Sequence, residues 1–491
     1  MSPQTVKPKA RRTKIIGTLG PATDRPGVLK AVIDAGLDVA RLNLSHGAAE
    51  DHRRRAAEVR AASKSAHREV AVLADLQGPK IRIGKFAAGP VELEAGQSFD
   101  LDCTPDAPPG DARRVPVTYL GLAEDVKAGD TLLLDDGLIE LLVQTVAAPL
   151  IHCRVTIGGM LSDRKGINRL GGGLSVGALS DKDRADIELA ASMGVDFVAV
   201  SFAASAADMN EARALLRAAG SRAALVAKIE RAEAIDNLAE IVDASDAVLV
   251  ARGDLGVEIG FAELPGLQKK IIREALSRNR AVITATQMLQ SMVDNPIPTR
   301  AEVLDVANAV IDGSDAVMLS AETASGRYPE KAVATMANLC LSAERQFEGV
   351  ELNVHPQVER VDQAIAMAAL HLAKKVGVRA IVALTESGAT AQWLSRYRSP
   401  VPIYAMSRHS GSRHRMALLR DVFPVAFDPH GGSAPHAARL AVELLYAQGR
   451  VAVGDRVIVT TGDHTGVLGG TNTLKLLRVG AGGVPEGLSD L

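Results

Sequence analysis

Short apolar runs rich in Val, Ile and Ala recur along the chain, and stretches with helical periodicity separate them. Near-continuous apolar strands that alternate with helices indicate a parallel sheet that is covered on both faces. Eight such runs can be counted, which matches the (β/α)₈ TIM barrel. A doubly wound open sheet, whose strand ends simply meet water, is the alternative. The runs are Lys14–Gly20, Val39–Ser45, Val70–Leu76, Phe197–Phe202, Leu225–Glu230, Val248–Gly253, Val282–Gln287 and Val317–Glu322.

The spacing between the third and fourth runs is much longer than the others and has a different pattern. Gly/Asp turns alternate there with short segments of alternating polarity, which is typical of a small all-β domain inserted in a barrel loop. After about Gln346, helical segments and strand-like runs alternate again, which indicates an independent α/β domain. We therefore predict a discontinuous barrel domain (1–83 and 179–346), an inserted β-barrel lid domain (84–178) and a C-terminal α/β regulatory domain (347–491).

Composition limits the classes of function. The chain has 491 residues, of which 47% are apolar, which predicts a globular protein. Its net charge of −2 provides no overall positive charge that would favour binding to nucleic acid. The sequence has no apolar run of membrane-spanning length and no signal peptide, so we expect no membrane partner. Its three cysteines are far apart, which suggests a reducing compartment, and we expect a cytoplasmic protein.

Each predicted strand ends in polar or charged residues, and in such a barrel these ends face the active site. Glu230 and Asp254 suit Mg²⁺, which takes one or two carboxylates and leaves its other positions to water and substrate. Lys228 lies two residues before Glu230, so both point to the same face of a strand. Cations beside a metal favour a phosphorylated substrate, although each residue alone could be a strand-end salt bridge. The strand-end residues are Arg41, Asn43, Ser45, Asp75, Lys80, Arg82, Lys228, Glu230, Asp254, Thr286 and Glu322.

Long segments of the chain match the pattern of a known family in the same order. They are TKIIGTLGPA (13–22), RLNLSHG (41–47), DLQGPKIRIG (75–84), KGINRLGGGLS (165–175), AKIERAEA (227–234), ARGDLGVEIG (251–260), ITATQML (283–289), NPIPTRAEVLDVANAVIDGSDAVMLSAETASGRYP (295–329) and TNT (471–473). In these segments the chain resembles the pyruvate kinase family over nearly its full length. The resemblance implies a TIM barrel with an inserted β domain and a C-terminal α/β domain, and the conversion of phosphoenolpyruvate and ADP to pyruvate and ATP. It also implies Mg²⁺ as cofactor, with Mn²⁺ as an alternative, and a homotetramer.

The resemblance also assigns roles to residues at the strand ends. Glu230 and Asp254 would hold Mg²⁺, with the backbone of Gly253 close to the substrate. Arg41 and Lys228 would bind the phosphoryl group during its transfer, and Lys228 would offset the negative charge of the enolate that remains. These roles agree with the general need of phosphoryl transfer for fixed cations around developing negative charge.

Further positions follow from the same resemblance. Thr286 would lie near the methylene carbon that takes a proton, while the immediate proton donor stays open. A different Mg²⁺-enolate barrel enzyme, such as an oxoacid aldolase or lyase, would share the carboxylate pair without needing the lid. A non-catalytic sugar-phosphate sensor on the same fold would have lost Lys228, Glu230, Asp254 or Thr286, and all four are present. The positions that would approach ADP or ATP are Pro21, His46, Arg82 and Lys182.

One segment departs from the family pattern at its monovalent-cation region. In most members K⁺ ligands correspond to Asn43, Ser45, Asp75 and the following residue, within a segment that typically reads D-T-K-G-P-E-I-R. Here it reads D-L-Q-G-P-K-I-R, so Leu76 removes a hydroxyl ligand and Lys80 replaces a glutamate. An ammonium has a size close to that of K⁺, so we expect Lys80 to replace the ion, to neutralise Asp75 and to make K⁺ unnecessary. A surface lysine without a role is the alternative.

A second departure concerns regulation. The segment 385–390 (TESGAT) lies between a strand and a helix, so it could hold one phosphate, although an ordinary capped turn fits as well. In the family this loop binds a phosphate of a sugar-phosphate activator, here through Thr385, Ser387 and Thr390. Ala389 stands where a basic residue is common, and loop 462–470 has no Lys or Arg. We therefore expect activation by a sugar or nucleotide monophosphate rather than by fructose 1,6-bisphosphate.

Overall fold

The computed structural model describes residues 10–346, 358–399, 401–431, 433–463 and 469–486. The chain begins with three parallel strands and two helices, and the strands are buried along nearly their whole length. Such burial is expected for strands that are covered on both faces. The elements are β1 (Lys14–Thr18), α1 (Val28–Ala35), β2 (Val39–Asn43), α2 (Ala49–Ser65) and β3 (Ala71–Asp75).

An insertion follows β3, and its apolar core is separate from that of the barrel. Its elements are β4 (Val91–Leu93), β5 (Ser98–Asp102), β6 (Arg114–Pro116), α3 (Leu122–Asp125), β7 (Thr131–Leu134), β8 (Ile139–Ala147), β9 (Leu150–Ile157), β10 (Gly159–Leu161) and β11 (Ile167–Arg169). Six strands form a sheet in the order β11-β7-β8-β9-β5-β6, and β10 pairs with β4. Two isolated β-bridges connect the chain after β3 to this sheet. Arg82 bridges to Gly166, next to β11, and Ile83 bridges to Val117, next to β6. The predicted β insertion is confirmed.

The chain then completes the barrel. The elements are α4 (Asp181–Ser192), β12 (Phe197–Val200), α5 (Ala206–Ala218), β13 (Ala224–Ile229), α6 (Glu233–Asp236), α7 (Leu238–Ala244), β14 (Ala247–Ala251), α8 (Arg252–Ile259), α9 (Leu264–Ser277), β15 (Ala281–Ala285), a 3₁₀ turn (Gln290–Val293), α10 (Arg300–Asp312), β16 (Ala316–Leu319), α11 (Ala321–Ala324) and α12 (Pro329–Gln346). Eight parallel strands close in the order β1-β16-β15-β14-β13-β12-β3-β2. They coincide with the predicted apolar runs, so the TIM barrel is confirmed and the open doubly wound sheet is wrong.

The last part of the chain is an α/β domain, as predicted. Its elements are α13 (Val361–Val376), β17 (Ala380–Leu384), α14 (Ala389–Arg396), β18 (Ile403–Ser407), α15 (Ser410–Met416), β19 (Val422–Ala426), α16 (Ala434–Ala447), β20 (Arg456–Gly462), β21 (Thr471–Val479), a 3₁₀ turn (Ala481–Gly483) and β22 (Pro485–Glu486). The sheet order is β19-β18-β17-β20-β21-β22, parallel from β19 to β20 and antiparallel beyond. The predicted domain boundaries themselves stay a prediction.

The C-terminal domain contacts the barrel at the amino ends of its strands. Arg396 forms a buried ion pair with Asp315, which directly precedes β16. Arg413 Nε lies 2.7 Å from Oε1 of Glu69, which lies two residues before β3. This docking leaves the opposite, carboxyl ends of the strands to the inserted domain and to the candidate site. In the described part of the chain, no helix is both long enough and apolar enough to cross a membrane.

Candidate active site

Four charged side chains from β2, β3 and β13 meet at the carboxyl end of the barrel. Arg41 Nε lies 2.7 Å from Asp75 Oδ2. Lys228 Nζ lies 3.4 Å from Asp75 Oδ1 and 2.9 Å from Glu230 Oε1. All four are largely withdrawn from water, with Asp75 and Glu230 only 1% and 2% exposed. Parallel strands bring these residues together although up to 189 positions separate them, as the sequence predicted.

In this cluster, each buried charge is stabilised by oppositely charged neighbours. Burial alone would raise the pKa of Asp75, but the neighbouring Lys228 and Arg41 hold it below its usual value. Burial would lower the pKa of Lys228, yet the two carboxylates beside it raise that pKa above its usual value. Lys228 is therefore a cation at any working pH, and it is aimed into a site of low dielectric where its field acts strongly.

Glu230 and Asp254 have the character of a divalent-cation site. Burial, followed by the nearby charge of Asp254, raises the pKa of Glu230 above its usual value, against the opposing effect of Lys228. Two carboxylates that repel each other, one buried and one partly exposed, fit Mg²⁺, which needs few protein oxygens and keeps water and substrate as its other ligands. Among the described residues, no group of three or more His, Cys, Asp or Glu side chains could form a fuller metal site.

Lys80 lies beside this carboxylate pair and not where the sequence placed it. Its Nζ is 2.9 Å from Asp254 Oδ1 and 3.7 Å from Oδ1 of Asp136 in the inserted domain. The sequence predicts that this ammonium neutralises Asp75, but the carboxylate of Asp75 is paired with Arg41 and Lys228. The predicted pairing of Lys80 with Asp75 is therefore wrong, because the Lys80 ammonium lies beside Asp254 and beside Asp136 of the insertion.

Thr286 occupies an unusual backbone conformation. Its φ of 70° lies in the left-handed region, which a β-branched residue rarely adopts. The Gly253 N–H donates to Thr286 Oγ1 over 3.0 Å, and the threonine hydroxyl donates to the carbonyl oxygen of Ala285 over 2.7 Å. The hydroxyl is thereby fixed against the backbone of Gly253, so the two predicted substrate-site residues are brought together.

Arg252 is a supporting residue that the sequence reasoning missed. Its guanidinium donates to the carbonyl oxygens of Ala285 (3.0 Å) and Thr286 (2.7 Å), and it forms a two-point ion pair with Asp305 of α10. These bonds hold the strained turn that carries the Thr286 hydroxyl. The position of Arg252 directly before Gly253 was a signal that could have identified it.

Ser201 was also missed, and Glu322 proves to have a different role. Lys228 Nζ donates to Ser201 Oγ over 2.7 Å, and this hydroxyl donates in turn to the carbonyl oxygen of Leu76. Ser201 therefore orients the central ammonium. Glu322 is fully buried and accepts hydrogen bonds from the backbone N–H groups of Leu289 and Ser320, so it stabilises the loop structure.

Two of the positions expected near the nucleotide, His46 and Lys182, meet at the turn after β2. Asn43 Oδ1 accepts from the Ser45 N–H over 3.1 Å, and Lys182 Nζ donates to the Leu44 carbonyl over 2.8 Å. His46 is exposed in the same turn. Pro21, which follows β1, is exposed too, whereas Arg82 Nη1 donates to the Arg164 carbonyl of the insertion over 2.9 Å. Lys182 thus joins the His46 turn, and Arg82 joins the inserted domain.

The three predicted effector residues line a cavity of about 100 Å³ in the C-terminal domain. Thr385 Oγ1 accepts from the Gly388 N–H, and Ser387 Oγ accepts from the N–H of residue 389. The hydroxyl of Thr390 is buried and shares a 2.7 Å hydrogen bond with that of Thr471. The hydroxyls therefore converge on the start of α14, although each already has an internal partner.

A cation that sequence reasoning overlooked lies in the same cavity. Arg408 is among the lining residues, and its Nε is 3.3 Å from Glu386 Oε2. It was missed because it follows β18, a strand that is remote in sequence from the 385–390 segment. Within loop 462–470, which we had noted for its lack of basic residues, positions 464–468 lie outside the described residues.

The fold and the site together define a class of protein. A TIM barrel with buried cations, a carboxylate pair and a fixed hydroxyl at the carboxyl ends of its strands is an enzyme that handles an anionic substrate. The chain belongs to the pyruvate kinase family. The family model described as "Pyruvate kinase, barrel domain" matches residues 10–333, and "Pyruvate kinase, alpha/beta domain" matches residues 363–477.

Individual relatives agree with the family models over almost the whole chain. Pyruvate kinase II of Salmonella typhimurium is 52% identical over 478 residues, which cover 96% of this chain and 99% of that protein. The pyruvate kinase of Haemophilus influenzae is 48% identical, covering 92% and 96%. That of Mycobacterium tuberculosis strain H37Rv is 42% identical, covering 96% and 99%.

Proposed function

We propose that this enzyme transfers the phosphoryl group of phosphoenolpyruvate to ADP, giving pyruvate and ATP. The observation that carries the proposal is the position of Lys228, whose buried ammonium lies between Asp75 and Glu230 with Arg41 on the far side of Asp75. Phosphoryl transfer demands such fixed positive charge, because negative charge develops on both the transferring group and the oxygen that it leaves.

Each residue of the site has a part in this reaction. Arg41 and Lys228 hold the phosphoryl group, and Lys228 then stabilises the enolate oxygen. Glu230 and Asp254 would hold Mg²⁺, which would supply further positive charge beside the substrate when bound. Thr286 lies where the enolate carbon takes its proton, with the donor itself left open. Closure of the inserted domain would exclude water and limit hydrolysis of the phosphoryl group.

A coupled assay tests the proposed reaction directly. Pyruvate formed from phosphoenolpyruvate, ADP and Mg²⁺ is followed through the oxidation of NADH by lactate dehydrogenase, with omission of ADP and chelation of Mg²⁺ as controls. We expect turnover that depends on all three components. Pyruvate release that does not need ADP would contradict a kinase and would favour a phosphatase or lyase reaction on the same barrel.

We further propose that catalysis does not need K⁺. Two features support this proposal: Leu76 offers no oxygen ligand, and the Lys80 ammonium lies 2.9 Å from Asp254 at the edge of the site. In a tetramethylammonium buffer, addition of K⁺ should change the rate by less than about twofold, since a fixed ammonium already supplies one positive charge. A rise of tenfold or more would contradict the proposal. Lys80→Glu should lower the K⁺-free rate, and added K⁺ should restore it only in part because Leu76 remains.

Activation by a sugar or nucleotide monophosphate is the regulatory part of the proposal. The hydroxyls of Thr385 and Ser387 at the start of α14 support a site for one phosphate, and Arg408 in the same cavity could pair with it after leaving Glu386. Both effector classes are titrated at sub-saturating phosphoenolpyruvate. Stronger activation by fructose 1,6-bisphosphate would contradict the proposal, and Ser387→Ala should weaken activation without changing the unactivated rate.

The remaining expectations also stay proposals. We propose a cytoplasmic homotetramer with three domains, divided at residues 83/84, 178/179 and 346/347. Light scattering after size exclusion would measure the mass of the assembly, for which four chains of 51.5 kDa are expected. A dimeric mass at working concentration would contradict the tetramer.

A further inference from the structure

The exposed turn after β2, which carries His46, rests on a buried histidine of α2. His52 is only 3% exposed, and its Nε2 lies 2.9 Å from the carbonyl oxygen of His46. A carbonyl oxygen can only accept a hydrogen bond, so Nε2 of His52 carries the proton. The imidazole is therefore a single donor that points from the helix up to the turn.

The other ring nitrogen shows that this imidazole is neutral. His52 Nδ1 is buried and has no hydrogen-bond partner among the described residues, so a proton on it would be an unsatisfied donor. Burial lowers the pKa of His52, the bond to His46 opposes that effect, and the positive charge of Arg55 adds to it. A neutral, buried donor with one partner has a positioning role rather than a role in proton transfer.

The ring also lies close to the last residue of the turn. Gly47 has a φ of 87°, and a Cβ added there would lie 3.5 Å from His52 Nε2, which is an ordinary van der Waals distance. On the other side, Lys182 of α4 donates to the carbonyl oxygen of Leu44. Two donors from two helices thus hold the carbonyl groups of residues 44 and 46, while the His46 side chain is exposed at the surface.

We propose that His52 is a positioning residue for the nucleotide, acting by fixing the backbone of the turn that presents His46. The inference rests on the proposed function, in which His46 approaches ADP. A helix residue that only stabilises α2 would affect folding and both substrates alike. A residue that fixes the backbone of the turn affects the affinity for the nucleotide. It leaves unchanged the charged cluster of Arg41, Asp75, Lys228 and Glu230, which is proposed to bind phosphoenolpyruvate.

Two substitutions that differ by one methylene test the proposal. In His52→Gln the side-chain amide can take the place of Nε2 and still donate to the His46 carbonyl. In His52→Asn the amide takes the place of Nδ1 and falls short of that carbonyl. Loss of one such hydrogen bond should raise KM for ADP about tenfold in His52→Asn and no more than about twofold in His52→Gln. The kcat at saturating ADP and KM for phosphoenolpyruvate should stay within about twofold of the wild type in both.

The control is Arg53→Gln on the same helix, an exposed residue whose contact is an ion pair with Glu50. It should leave both KM values unchanged. Equal KM values for ADP in the Asn and Gln variants, or a parallel rise in KM for both substrates, would overturn the positioning role. Calorimetric titration with ADP alone repeats the comparison without turnover. If the wild type forms no pyruvate, the proposed function fails, and an unchanged affinity for ADP in His52→Asn would separately refute the role of His52.

Discussion

Lys228 shows how this site holds a strong charge in a buried place. An isolated ammonium would be costly to bury, but the carboxylates of Asp75 and Glu230 lie on either side of it, and the Ser201 hydroxyl accepts a hydrogen bond from it. The arrangement links catalysis with stability, because each member of the cluster compensates its neighbours. We therefore expect removal of the central cation to lower both the reaction rate and the stability of the barrel.

We predict that Lys228→Ala lowers kcat by on the order of 10³-fold or more, since a preorganised charge at the reacting oxygens is lost. It should also destabilise the barrel by about 3–5 kcal/mol, because the buried carboxylate of Glu230 loses its ammonium and that of Asp75 keeps only Arg41. Steady-state kinetics and thermal unfolding measure the two effects. Lys228→Arg keeps the charge and serves as the control, for which a much smaller loss of stability is expected. Turnover close to that of the wild type in a folded Ala variant would refute the assigned role.

At the scale of a single element, α10 shows how local sequence rules support the site from a distance. Thr299 and Glu302 form a capping box, and Glu302 also accepts hydrogen bonds from the N–H and hydroxyl of Ser291. Gly313, with a φ of 110°, ends the helix. The helix carries Asp305, whose ion pair with Arg252 holds the Thr286 turn. A correct helix start thus contributes to the position of a substrate-site hydroxyl.

Glu302→Ala should destabilise the barrel by about 1–2 kcal/mol, because the backbone N–H groups of Thr299 and Ser291 lose their acceptor. Glu302→Gln should cost less, since glutamine also completes a capping box. Chemical denaturation followed by circular dichroism compares the two variants with the wild type. Equal losses for Ala and Gln would indicate that the charge of Glu302, and not its bonding to the helix start, is what matters.

At the scale of the whole molecule, the docking of the C-terminal domain on the barrel includes a titratable contact. His414 of α15 lies 3.1 Å (Nδ1) from Asp196 and 3.3 Å (Nε2) from Glu69, both in the barrel, with Arg60 beside it. Burial opposes protonation of this imidazole, but its bonds to the two carboxylates raise its pKa above the usual value. The protonated form therefore holds the two domains together more strongly.

This contact predicts a pH dependence with a definite sign. A group whose pKa is raised in the folded state contributes its full stabilisation below its unfolded pKa of about 6.5 and loses it as the pH rises through the folded pKa. Melting temperatures of the wild type and His414→Gln should thus differ most near pH 6 and least near pH 9. His371→Gln, at an exposed position of α13, is the control. A difference that grows with pH would contradict the assignment.

Much of this molecule follows from local pattern. The eight barrel strands, the β insertion, the C-terminal α/β domain and the ends of α10 all coincide with apolar runs, turn residues and capping residues. The grouping of Arg41, Asp75, Lys228, Glu230 and Asp254 could be predicted as well. Parallel strands that close into a barrel must bring their carboxyl ends to one face, so residues at those ends meet whatever their separation in sequence.

Only the tertiary structure determines which of the neighbouring charged side chains form ion pairs with one another. Lys80 pairs with Asp254 instead of Asp75, because Arg41 and Lys228 already surround Asp75 and the insertion brings Asp136 to the same ammonium. The roles of Arg252, Ser201 and His52 were hidden for a related reason. Each acts through a hydrogen bond to a backbone carbonyl or to another side chain, and the direction of such a bond depends on three-dimensional placement that strand and helix periodicity do not encode.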